Sequence, residues 1–415
     1  MPPSNNDQSS DKPMPARADP LRAAADRCVA CGLCLPHCPT YSDSLNENES
    51  PRGRIALLRA TAEGALQATA AVAAHVDRCL GCLACEAVCP SQVDYAAILK
   101  DGRALLAREG PTSWRPWLRN VLIRSVEVRG AVAVAYAVAR LISRLPWPRA
   151  SQWPLATVLR GLPARPRPSM VRPEDTDQAD VALFLGCTAD LDRATLNAAI
   201  RVLQATGKRV HIPGDQGCCA ALASHAGLAD LACRQRLRNL RAFEGKAPAL
   251  VSVTSGCAAE LEDYDPAGFD RFPEVFDIHR YLVEKTDLDR LMLTPRRQTI
   301  AVHEPCSLRN ALRGGRFVYE LLARIPGARI IELPGNGICC GAAGDYFLRE
   351  PGRADALAAA KATAVAESGA DIVVSANIGC ALHLSAALAR AGRALPVLHP
   401  LLVLGQQLPA SRGAW

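Results

Sequence analysis

Short apolar runs alternate with amphipathic stretches through the second half of the chain. Val181-Ala-Leu-Phe-Leu-Gly-Cys187 reads as a buried strand that ends in a cysteine. A helical stretch follows, then a strand over 209–212, the loop Pro213-Gly-Asp-Gln-Gly-Cys218-Cys219, and the strand Leu250-Val-Ser-Val-Thr-Ser-Gly-Cys257. The same order then returns. Thr299-Ile-Ala-Val-His-Glu-Pro-Cys306 leads to a helix near 317–325, a strand over 329–333, the loop Pro334-Gly-Asn-Gly-Ile-Cys339-Cys340, and a last strand Asp371-Ile-Val-Val-Ser-Ala-Asn-Ile-Gly-Cys380. Continuous apolar runs, unlike strict alternation, predict strands covered on both faces and therefore mainly parallel sheets. Such sheets bind ligands beyond the carboxyl ends of their strands, where these cysteines fall.

The first half has another texture. Residues 1–20 are polar and Pro-rich, without the apolar segment of a secretory signal, and have the composition of a disordered tail. Residues 21–110 form a Cys-rich region, helical from Pro51 onward. A connector over 111–178 carries Trp114, Trp117, Trp147 and Trp153, one amphipathic helix near 118–145, and a loop with Pro163, Pro166 and Pro168. The repeat divides into modules 179–296 and 297–410. No run reaches ~18 apolar residues, so no membrane-spanning helix is expected; the nearest candidate, 130–143, contains Arg140. The location expected is cytoplasmic, with peripheral contact to the inner face of the cell membrane left open.

The 415 residues carry a net charge of +7, and the basic side chains are scattered. A nucleic-acid binder would concentrate them on one element, so no nucleic-acid partner is expected. The 17 cysteines change the picture more. In a large chain without a secretory signal they are thiols available for metal.

Cys28-x2-Cys31-x2-Cys34-x3-Cys38-Pro39 and Cys79-x2-Cys82-x2-Cys85-x3-Cys89-Pro90 are two copies of the bacterial ferredoxin run. Three thiolates spaced two residues apart wrap a cubane, and in two-cluster ferredoxins the fourth serves the other cluster. Cys28, Cys31, Cys34 and Cys89 are assigned to one [4Fe-4S] cluster; Cys79, Cys82, Cys85 and Cys38 to a second. Structural zinc, the competing chemistry, uses separated cysteine pairs and has no need of the third thiolate. His37, inside the first motif, is expected to tune a cluster through hydrogen bonding.

Each module of the repeat offers a further thiol set: Cys187, Cys218, Cys219 and Cys257, then Cys306, Cys339, Cys340 and Cys380. Four soft ligands at strand ends suit a further iron–sulfur cluster or zinc. His383 is a candidate extra ligand or a hydrogen-bonding residue, and His303 a weaker candidate ligand. Cys233 fits no pattern and reads as a structural thiol. Gly341-Ala-Ala-Gly344 reads as backbone approaching a cluster. Neither a dinucleotide-binding glycine fingerprint nor a Ser-His-Asp order stands out. No catalytic residue is assigned.

The two ferredoxin motifs, Ser50-Pro-Arg-Gly-Arg54, Cys339-Cys340-Gly341 and Ser375-Ala-Asn-Ile-Gly-Cys380-x2-His383 resemble the iron–sulfur subunits of bacterial glycolate oxidase (glycolate dehydrogenase), over about 21–405. These share the cysteine-rich CCG domain with heterodisulfide reductase. The fold class implied is α+β multidomain: an all-helical two-cluster [4Fe-4S] ferredoxin domain, then two repeated α/β CCG modules. The resemblance implies an electron conduit between FAD-binding glycolate oxidase-type subunits and a quinone of the membrane respiratory chain. It also implies that a CCG domain can hold an unusual cluster. Where heterodisulfide reductase ends the domain in Cys-x2-Cys, this chain has Glu260 and His383, and Ala220 replaces the glycine after Cys218-Cys219. If only one module is loaded, the second is the one expected. The competing functions are a heterodisulfide-reductase-like thiol/disulfide oxidoreductase, electron transfer for lactate or glycerol-3-phosphate oxidation, and a zinc-stabilised scaffold.

Overall fold

The computed structural model describes residues 20–110, 114–128, 130–142, 168–171, 179–393 and 395–409. The tail and the Pro-rich end of the connector, with Trp147 and Trp153, lie outside them.

The amino-terminal part is helical. Ser50 caps the helix Pro51–Ala62 through its side chain, and the helices Ala70–Asp77 and Tyr95–Glu109 pack beside it. Leu58, Val76 and Ile98, all fully buried, form the centre of this core, and Cys28, Cys79, Cys85 and Cys89 pack on its edge. The connector is two helices instead of the single one expected, Trp114–Ser125 and Ala131–Ile142, because Gly130 takes φ of +80° between them.

The repeat forms two four-stranded parallel sheets. β1 (Val181–Phe184), β2 (Val210–His211), β3 (Ala249–Ser252) and β4 (Glu274–Asp277) are ordered β2-β1-β3-β4. β5 (Thr299–His303), β6 (Arg329–Glu332), β7 (Ile372–Ser375) and β8 (Val397–Leu398) are ordered β6-β5-β7-β8. Every described pairing is parallel, as in Ala182↔Leu250 and Ala301↔Val373. β1, β3 and β7 are buried at all four positions, as double coverage requires.

The strand expected to be last is not the last. β8 follows it, and β4 is its counterpart in the first module. Both follow a proline, Pro273 or Pro396, and are too short to carry a periodic signal. The strands before Cys257 and Cys380 also stop early, and both cysteines sit third in the helices Ser255–Glu262 and Ile378–Arg390.

The modules face each other across one core that includes Leu183, Val251, Val302 and Val374 from both sheets. At their seam Ser255 Oγ lies 2.8 Å from Ser307 Oγ, and the Ser255 N–H donates to the Ala376 carbonyl at 3.0 Å. The helix Pro400–Gly405 crosses back from the second module onto Arg193–Ala205 of the first, with Gly405 held close to Ala198.

Candidate metal centres

Two cavities open in the helical domain. Cys28, Cys31, Cys34, Cys85 and Cys89 line one. Cys38, Cys79, Cys82 and Cys85 line the other, with His37 at its wall. Among the described residues no three Cys, His, Asp or Glu side chains close on a point as a mononuclear ion requires. Cysteine-only donor sets with three thiols spaced two residues apart in each motif fit a polynuclear sulfur-ligated group better than zinc.

The loops that present these thiols are shaped by local conformation. Ala30, Gly32, Gly81 and Leu83 take positive φ, which turns the backbone so that successive cysteines face one cavity. Around the second cavity the partners are specific. The Gly81 N–H donates to Cys79 Sγ at 3.4 Å and the Tyr95 hydroxyl at 3.6 Å. Burial pushes the Cys79 thiol up, but Arg54, Arg103 and the Gly81 amide outweigh it and leave the thiol below its ordinary value. Cys82 and Cys85 have no such cations and are pushed well up by burial and by neighbouring thiols.

In the second module Cys306 Sγ is 4.0 Å from Cys339 Sγ, and Cys340 Sγ is 3.0 Å from Cys380 Sγ. Cys339, Cys340 and Cys380 are buried. The Gly341 N–H points at Cys339 Sγ at 3.5 Å, and Gly341 itself is forced by the neighbouring helix. It has φ of +86°, and a Cβ there would sit 2.6 Å from the Ala354 carbonyl oxygen. Lys361, buried and hydrogen-bonded to the Gly335 carbonyl, faces all four thiols. Burial lowers its pKa, and the thiols act to raise it.

In the first module Cys187, Cys218, Cys219 and Cys257 lie close enough to shift one another's titration. The Cys218 thiol is lowered by Cys187 and then Cys219, while Cys187 and Cys219 are raised in return. The buried Asn239 takes a place like that of Lys361, donating to the Cys218 carbonyl at 2.8 Å. One device recurs in both modules. Gln216 accepts from the Leu185 N–H at 2.7 Å and Asn336 from the Glu304 N–H at 3.1 Å, each tying the loop before the paired cysteines to the strand beside it.

Other candidates are placed differently. His383 donates from Nδ1 to the Cys340 carbonyl at 3.0 Å, and its Nε2 faces Asp355 at 3.9 Å, so both ring nitrogens are turned to protein. His303 is buried against Ser375 Oγ at 3.1 Å, with its pKa lowered to about 3 by burial and Lys361. Glu260 is bound by Arg236 and Ser224, which occupies it as an ion pair. Cys233 is exposed, and so is not the packed structural thiol expected. The reading by spacing missed Arg54, Arg103, Tyr95 and Lys361, which bear on the thiols from other elements. Arg54 alone lay inside a quoted motif.

The domains meet at these sites. Cys82 of the helical domain packs with Cys306 and Cys339 of the second module in one cluster around Leu80, Tyr346 and Ala354. Asn310 Nδ2 donates to the Cys82 carbonyl at 2.7 Å.

Comparison with known proteins bears on this arrangement. A 4Fe-4S dicluster domain matches residues 24–93, and a cysteine-rich domain matches twice, at 181–262 and 300–385. The glycolate oxidase iron-sulfur subunit of Escherichia coli (strain K12) is 32% identical over 391 residues, spanning 90% of this chain and 92% of its own. The chain belongs to the glycolate oxidase iron–sulfur subunit family. The probable glycolate oxidase iron-sulfur subunit of Bacillus subtilis (strain 168) is 31% identical over 398 residues, 88% of this chain and 89% of its own. One of the subunits of the fumarate reductase (CoM/CoB) from Methanothermobacter marburgensis is 30% identical over 217 residues, 51% of this chain and 43% of its own. Membership makes this an iron–sulfur protein of an oxidoreductase, with a helical dicluster domain and two α/β cysteine-rich repeats.

Proposed function

We propose that this chain carries electrons from an FAD-binding partner that oxidises a 2-hydroxy acid, glycolate foremost, toward a membrane quinone. The partner's flavin takes two electrons and two protons as the hydroxy acid becomes a 2-oxo acid; the electrons leave singly through this chain, and the quinone takes up two electrons and two protons. Cys28, Cys31, Cys34 and Cys89 hold one [4Fe-4S] cluster, and Cys79, Cys82, Cys85 and Cys38 the other. Cys306, Cys339, Cys340 and Cys380 hold a further cluster. Cys187, Cys218, Cys219 and Cys257 form the least complete site, with neutral Asn239 in place of Lys361.

One observation carries the reading: Cys82, Cys306 and Cys339 belong to one packed cluster, close enough for Cys82 to feel the charge of Cys306, so the second ferredoxin site adjoins the second module. Bound clusters exchange one electron at a time, and the chain's own task is to hold them close and dry. The membrane end is supported by Val134, Val138 and Leu141, an exposed apolar stripe on Ala131–Ile142, while no described helix is long and apolar enough to span a bilayer.

The test is anaerobic purification from the native host with identification of the co-purifying chains, followed by glycolate- and lactate-dependent quinone reduction. A flavoprotein partner with either activity supports the proposal. Cys28→Ser then removes one cluster and stops quinone reduction while the partner's flavin is still reduced by substrate. Undiminished quinone reduction in that variant would rule out the conduit. Copurification with thiol–disulfide enzymes instead would favour the heterodisulfide-reductase-like reading.

A further inference from the structure

Ser50-Pro-Arg-Gly-Arg54 is one helical turn that serves both ferredoxin cavities. Ser50 Oγ accepts from the Gly53 N–H at 2.9 Å, Pro51 opens the helix, and Gly53 is seated so tightly that a Cβ would fall 1.9 Å from the Glu47 carbonyl oxygen. That seat fixes the two flanking arginines. Arg52 turns outward, donating to the Ala30 carbonyl in the first cysteine loop at 3.0 Å and pairing with Glu47 at 2.6 Å; its side chain is 32% exposed. Arg54 turns inward and is 1% exposed. Its Nε donates to the His75 carbonyl at 2.8 Å and its Nη2 to Thr40 Oγ1 at 3.0 Å, while Nη1 stands 4.0 Å from Cys38 Sγ.

Among the described residues no carboxylate lies within ion-pair distance of Arg54. A buried guanidinium without an anion is costly. The groups facing it that can carry negative charge are the thiols of Cys79 and Cys38 and the Tyr95 phenol. We propose that Arg54 is the built-in counterion of the second ferredoxin cluster and holds its reduction potential above the value it would otherwise have. Arg52, neutralised by Glu47 and screened by solvent, does not do this for the first cluster. The proposal rests on the reading that Cys79, Cys82, Cys85 and Cys38 bind a [4Fe-4S] cluster. An electron entering the cluster makes it more negative, so a fixed positive charge in a dry site favours the reduced form over the oxidised one. The electron is thereby drawn toward the cavity that adjoins Cys306 and Cys339.

The test is a dithionite titration of the full, anaerobically reconstituted chain, followed by electron paramagnetic resonance. Signals from both ferredoxin clusters must be present in the wild-type chain; their absence overturns the cluster reading and the proposal with it. The second cluster is the signal that survives Cys31→Ser and is lost in Cys79→Ser, which sets it apart from the further cluster proposed in the second module. At a fixed potential near its midpoint, Arg54→Gln is expected to lower that cluster's reduced-to-oxidised ratio by about tenfold, equivalent to about 59 mV for one electron. The first cluster should stay unchanged, and Arg54→Lys and Arg52→Gln should each leave the second cluster's ratio within about threefold of wild type. If Arg54→Gln cannot hold the second cluster but Arg54→Lys holds it at the wild-type potential, the shared charge is again the cause. Arg54→Gln holding two clusters at wild-type potentials overturns the proposal alone, as does Arg54→Lys failing in the same way as Arg54→Gln.

Discussion

Two thiols at the same depth differ in charge through their neighbours. Cys79 and Cys82 are three residues apart in one loop, and burial pushes both up. Two guanidiniums nevertheless hold Cys79 below its ordinary value, while Cys82, with no such cation and facing Cys306, is driven well above it. A unit charge pair 4 Å apart in a protein-like dielectric is worth on the order of 4 kcal/mol, enough to offset a desolvation cost of that size. Glycine decides whether those neighbours can be there. Gly53→Ala would drive a methyl group into the Glu47 carbonyl and is expected to cost about 1–3 kcal/mol, read as a lower urea midpoint. An unchanged midpoint would mean that this turn can open without disturbing the arginines.

At the scale of elements, both modules use the same parts. A strand end delivers one cysteine, a loop pinned by Gln216 or Asn336 delivers two, and a helix amino terminus delivers the fourth. The modules diverge in what backs the site, a buried lysine in the second and a neutral asparagine in the first. The loop after Cys340 depends on the helix Pro351–Glu367. Gly341→Ala meets both the left-handed backbone and the Ala354 carbonyl, and is expected to cost about 1–2 kcal/mol or more and to lower iron content. Gly337→Ala, with open space around it, should do neither, and equal iron loss in the two variants would contradict the packing argument.

For the whole molecule, the helical domain is fastened to the second module beside the thiols. Glu49, 1% exposed, binds Arg78 of its own domain and Arg353 of the module, each at 2.6 Å. Burial pushes its carboxyl up, but the two guanidiniums outweigh that and leave it below the ordinary value. A carboxyl with a lowered folded-state pKa contributes stability in full above its unfolded pKa, about 4.3, and loses it as pH falls through the folded value. Docking should therefore hold from neutral pH to about pH 5 and weaken in more acid solution. Glu49→Gln should weaken it at neutral pH and remove that acid step, as read by hydrogen exchange around residues 43–50 and 350–354. Asn310→Ala, which frees the Cys82 carbonyl, should slow electron transfer between the domains with iron content intact. Unchanged transfer kinetics would show that the path does not depend on this contact.

Spacing along the chain determined much of this. The cysteine runs carried the iron–sulfur chemistry, because a cluster's ligands must recur at intervals set by its edges, and long apolar runs carried the parallel, twice-covered strands. The repeat was legible for the same reason: both halves must bury the same faces. The short strands β4 and β8 were not, since two to four residues behind a proline hold no period. Nor was the break in the connector, which depends on the left-handed backbone of Gly130. Only the tertiary structure decided which charges stand beside which thiols. Arg54, Arg103 and Lys361 come from helices whose sequence separation from the cysteines says nothing of distance. Their burial against sulfur, with Cys82 set against Cys306, is fixed by how the helical domain seats on the second module.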